Sequence, residues 1–136
     1  MRKKHWWILP VLAILVILTL IALDERLILR TYTVASPKLT AEVRLAVVTD
    51  FHSSDNADDV AAMVASCAPD AVLLVGDLFD DDTANRPTER TLSLMRQLSA
   101  LYPCYYVSGN HEAWTGEMDA LYRQTEEAGV TVLRMS

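Results

Sequence analysis

Three short apolar runs, residues 43–49, 71–75 and 104–107, recur along this chain with segments of helical period between them. That alternation constrains the fold more tightly than any other feature. Apolar runs of this length, bounded by turn signals, read as strands buried in a parallel sheet, and the segments between them as crossover helices. Asn56 is placed to cap a helix over residues 57–67, where Val60, Met63, Val64 and Cys67 recur at three- and four-residue spacing. Pro69-Asp70 ends it. A helix from about residue 88 to 101 turns Leu92, Met95, Leu98 and Leu101 inward, and another covers residues 116–128 with Gly129 just past its end. Val130 to Arg134 reads as a closing strand, and Leu27 to Val34 alternates enough to be an edge strand before Ser36-Pro37 breaks it. From residue 43 onward the order β-α-β-α-β-α-β argues for an α/β layer fold with a mainly parallel sheet and right-handed crossovers. Such sheets bind ligands beyond the carboxyl ends of their strands.

The N-terminus is a different kind of sequence. Residues 6–23 are 18 positions without a charge, and at 1.5 Å per residue they reach roughly 27 Å, near the hydrocarbon thickness of a bilayer. Arg2, Lys3 and Lys4 precede the run, and Trp6 and Trp7 stand where aromatic rings favour the headgroup layer. The expectation is a single-pass anchor over residues 1–24 with a cytoplasmic N-terminus. One domain, residues 25–136, would then lie on the extracytoplasmic side of the cell membrane. A cleaved signal peptide is the rival, but its apolar core is shorter and Leu20-Ile21-Ala22 is a poor cleavage site. With 136 residues in all, a two-domain enzyme is excluded.

All 18 acidic residues lie at or after Asp24, against nine of the 12 basic ones. A nucleic-acid partner held by a basic face is therefore disfavoured. Cys67 and Cys104 are the only cysteines and lack C-x-x-C spacing, which gives neither a zinc knuckle nor a disulfide scaffold.

The strand ends carry the chemistry. The first buried run ends in Thr49-Asp50-Phe51-His52, the second in Gly76-Asp77 and the third in Ser108-Gly109-Asn110-His111-Glu112. Asp50 and His52 are two apart, so in extended chain they point the same way and can meet one ion. Asp77 offers a carboxylate able to bridge two cations, and Asn110 a neutral carbonyl oxygen. Hard oxygen donors mixed with imidazole suit Mn, Fe, Zn or similar divalent ions rather than a thiolate-bound metal. Any one of these residues is more often a turn or cap. Three successive strand ends bearing D-x-H, G-D and G-N-H are far harder to dismiss.

In these motifs the chain resembles the calcineurin-like metallophosphoesterases, whose signature is D-x-H, then G-D, then G-N-H-[DE], each after a strand. The likeness covers about residues 43–112. Together with the apolar N-terminus, Pro69-Asp70, Gly76-Asp77-Leu78-Phe79-Asp80 and Gly109-Asn110-His111-Glu112-Ala113-Trp114, it looks like the membrane-anchored bacterial branch. The resemblance implies the N-terminal half of a metallophosphoesterase-type layered α/β fold. It also implies two divalent metal ions that activate water to hydrolyse a phosphate ester. A phosphomonoester, phosphodiester, nucleotide or lipid headgroup is allowed at such a site, and tethering slightly favours a lipid-linked one. Asp50 and His52 would hold the first ion, Asp77 would bridge both and Asn110 would bind the second. His111 would act on the scissile phosphate as general acid or transition-state stabiliser, with Glu112 orienting it. Asp80, Asp81 and Asp82 read as loop surface or caps.

Members of that family carry a further His and a G-H-x-H motif in their second half, and this sequence has only His5, His52 and His111. The expectation is a fragment of a longer enzyme, with little turnover of its own and one sheet face uncovered. The alternative is a non-catalytic, membrane-tethered metal-binding remnant or interaction module.

Overall fold

A computed structural model describes residues 8–22 and 27–134. The chain divides into two compact units, residues 1–32 and 33–136. In the first, helix α1 (Ile8–Ala22) is 15 residues long; its described side chains are exposed and, but for Thr19, apolar, and the Thr19 hydroxyl donates to the Leu15 carbonyl at 2.8 Å. No helix among the described residues is long and apolar enough to cross a membrane. Trp6, Trp7 and Leu23, the ends of the charge-free run, lie outside the described residues.

The second unit is a four-stranded sheet of β1 (Leu45–Val48), β2 (Ala71–Val75), β3 (Cys104–Val107) and β4 (Thr131–Val132), in spatial order 1-2-3-4 with every pair parallel. Helices α2 (Ala57–Ser66) and α3 (Thr88–Ser99) make the first two crossovers, and α4 (Asn110–Trp114) with α5 (Met118–Glu127) makes the third. Three successive crossovers of one hand, all stepping in one direction, place their helices on one face. That face holds the core. Val72, Leu74, Cys104 and Tyr106 are buried beneath Val60 and Val64 of α2, Leu94, Met95 and Leu98 of α3, and Leu121 of α5. Gly129 follows α5 with φ of +85°, as a residue just past a helix end requires.

On the opposite face of the sheet, large apolar side chains are exposed. Leu45, Val47, Val75 and Tyr105 alternate with the core residues along their strands and are exposed. The reading of residues 43–49 as a fully buried strand is thus corrected: Val47 is 60% exposed, and β1 packs through Ala46 and Val48 alone. Residues 27–34 form no strand. Their alternation has no second strand to pair with, and Ile28, Tyr32 and Val34 are exposed. Leu101 lies beyond the last turn of α3 and is 68% exposed. The expected helix over residues 116–128 begins at Met118, and the short α4 precedes it.

Candidate metal centre

Each strand runs straight into a loop at the carboxyl edge, and the backbone there leaves the ordinary regions. Asp50, His52, Ser53 and Asp77 have φ between 47° and 55°, and Gly76 has φ of +65°. Left-handed backbone costs a non-glycine residue about 1–2 kcal/mol, so four such residues in two neighbouring loops mark stored strain of the kind found at functional sites.

Hydrogen bonds hold the loops in register. Asp50, His52 and Ser53 donate backbone N–H groups to the carbonyls of Gly76, Asp77 and Leu78 at 3.3, 3.0 and 2.9 Å. The buried hydroxyls of Ser53 and Thr91 lie 2.9 Å apart, and Thr91 Oγ1 donates to the Leu78 carbonyl at 2.8 Å. The second and third loops are joined by Glu112, which is fully buried. Its Oε1 accepts the N–H groups of Leu78 and Phe79 at 2.7 and 3.0 Å, and its Oε2 those of Asp77 and Gly109 at 3.0 and 2.8 Å. Gly109 and Asp77 are so close that a Cβ on Gly109 would stand 2.3 Å from Asp77 Oδ1. Only glycine fits. The ring of Tyr106 lies below this junction, and burial, with the Glu112 charge adding to it, raises its phenol well above the ordinary value of 10.0.

Two groups of side chains converge on this edge. Asp50, His52 and Asp77 form one, and His52, Asp80 and His111 the other, each with its potential ligand atoms within 4.8 Å of one another. His52 belongs to both: its Nε2 lies 3.9 Å from Asp50 Oδ1 and its Nδ1 lies 3.6 Å from Asp80 Oδ2. Asp77 Oδ1 accepts the backbone N–H of His111 at 3.0 Å. Nδ1 of His111 is 3.0 Å from Asp81 Oδ1, and its ring meets His52 edge-on at 4.4 Å. Asn110 opens α4, next to His111, and is exposed.

The structure therefore brings together Asp50, His52 and Asp77 and sets His111 against them. The reading of Asp80 as loop surface is corrected, while Asp81 stays at the surface with its side chain 46% exposed. Asp80 turns inward, its side chain 13% exposed, against His52 and the Arg86 Nε at 3.7 Å, and Asp81 faces His111. Asp80 also closes a turn, its Oδ1 accepting the Asp82 N–H at 2.8 Å. Asp82 caps the next: the Asn85 side chain donates to it at 2.8 Å, and hydrogen bonds from the Asn85 side chain and backbone hold its carboxyl below the ordinary range. The orienting partner of His111 is Asp81, since all four hydrogen bonds of the Glu112 carboxylate go to loop backbone.

The donor set fits a divalent cation. Carboxylate oxygens and imidazole nitrogens are what such ions take, while Cys104 is buried in β3 and Cys67 lies at the end of α2. Residues 43–133 match the model of the calcineurin-like phosphoesterase family. A search among curated proteins finds no match.

Proposed function

The chain belongs to the calcineurin-like phosphoesterase family, and we propose that its strand-end edge is the metal-dependent phosphoester-hydrolysing site of that family. The observation that carries this reading is the pair of carboxylate–imidazole groups sharing His52. Asp50, His52 and Asp77 would hold one ion, and Asp77 with Asn110 a second. Asp80 is a further oxygen donor close to His52. When bound, such ions supply positive charge to phosphoryl oxygens and lower the pKa of water. The protein's own contribution is positional. Asp81 sets the tilt of His111 through Nδ1, which leaves Nε2 to donate to a phosphoryl or leaving-group oxygen. Glu112 and Gly109 keep Asp77 and His111 in fixed relation.

The apolar run at residues 6–23 supports tethering at a membrane with Arg2, Lys3 and Lys4 on the cytoplasmic side.

Titration of Zn2+ or Mn2+ into the purified chain, followed by p-nitrophenyl phosphate hydrolysis with and without EDTA, tests the reading. Metal binding should vanish in Asp77→Ala, and any hydrolysis should need the metal and fall in His111→Ala. Metal binding without hydrolysis, unaffected by His111→Ala, would instead favour a tethered binding module.

A further inference from the structure

Beside the candidate centre stands a large aromatic side chain that nothing above uses. Trp114 is 64% exposed, which is unusual for the bulkiest apolar residue. It lies three positions after His111 on α4, a spacing that puts both side chains on one side of the helix. Their ring centroids are 4.7 Å apart with planes tilted by 56°. His111 meets His52 at 4.4 Å on its own account, so the rings of His52, His111 and Trp114 form a row leading from the strand-end cluster to solvent.

Resting on the phosphoesterase reading, we propose that Trp114 is a specificity-determining residue. It would stack against a flat aromatic group ester-linked to the phosphate that His111 contacts. The indole keeps most of its surface free, and it stands next to the imidazole where a leaving group would emerge. Aromatic pairing gives this contact its preference over a small alkyl group. Aryl-type phosphate esters are then the substrate class preferred at this site.

The test is binding, so that it does not depend on turnover. Phenylphosphonate and methylphosphonate are titrated calorimetrically into the Zn2+-loaded full chain, into Trp114→Ala and into Trp114→Phe. The expected result is that phenylphosphonate binds about fivefold more tightly than methylphosphonate. Trp114→Ala should bring that ratio to about one without altering methylphosphonate affinity, and Trp114→Phe should retain most of it. An unchanged ratio in Trp114→Ala overturns the proposal while leaving the phosphoesterase reading intact. So does an equal loss for both ligands, which would make Trp114 a support for His111. If neither phosphonate binds the metal-loaded wild-type chain, the phosphoesterase reading fails and the proposal fails with it.

Discussion

Replacing Glu112 by Gln keeps the side chain's shape and removes half of its accepting power. In the native site four backbone N–H groups at 2.7 to 3.0 Å end on its two oxygens. A hydrogen bond to a charged group contributes about 1.5–3 kcal/mol. Gln retains one oxygen and turns an NH2 group toward the other pair of donors, so two bonds are lost and two weaken. Part of that loss is offset, because a buried carboxylate carries a desolvation cost of several kcal/mol that the neutral amide avoids. The net expectation is a destabilisation of about 3 kcal/mol, a large share of the roughly 5–15 kcal/mol that holds a domain together. With a urea m-value of about 1.5 kcal/mol/M, the unfolding midpoint should fall by about 2 M. Glu117→Gln, at an exposed carboxylate, is the control and should leave the midpoint within about 0.3 M. A shift below about 0.5 M in Glu112→Gln would refute the reasoning, because the junction would then not depend on the carboxylate.

Three further outcomes are expected. Gly109→Ala should abolish metal binding, measured by calorimetry, since its Cβ would collide with the Asp77 carboxylate and with the Asp77 backbone nitrogen at 2.7 Å. Burial pushes the Cys104 thiol from an ordinary 9.0 up to about 11. A raised folded-state value means stability that is full below pH 9 and lost as pH rises towards 11. Urea melts of wild type should show that loss beginning near pH 9, whereas in Cys104→Ala it should begin only near 10, where the raised phenol of Tyr106 adds its own decline. Asp50→Gly should raise the urea midpoint in EDTA, because glycine relieves up to about 1 kcal/mol of left-handed strain, and should weaken Zn2+ binding at the same time. A midpoint lower than wild type would count against strain at that position.

Much of this architecture was legible in the sequence because it rests on local rules. The second and third strands coincide with their apolar runs, 71–75 and 104–107, and α2 and α3 begin at the expected residues. The apolar period identifies a core face where a partner layer exists. At Leu101 and along residues 43–49 it misled, because the helix ends at Ser99 and one sheet face is uncovered. Residues 27–34 show the same failure in another form, since alternation without a neighbouring strand has nothing to bond to. At the candidate centre, motif spacing singled out Asp50, His52, Asp77, Asn110 and His111, and the fold brings the first three together with His111 beside them. The inward turn of Asp80 and the contact of Asp81 with His111 depend on how the loop after β2 folds back, and spacing carries no information on that. The work of Glu112 was hidden likewise, because its partners are backbone groups 33 to 35 residues away, besides Gly109.

The left-handed residues at the strand ends set folding against chemistry. Glycine at positions 50, 52 or 77 would release backbone strain, so substitutions that erase the ligands run downhill in folding free energy unless the lost side-chain contacts outweigh the gain. A library of this chain selected for heat resistance alone would therefore drift toward stable proteins that lack the candidate ligands. Tolerance to heating and affinity for the ion would diverge from one round of selection to the next, and a screen on either property alone would misjudge the other.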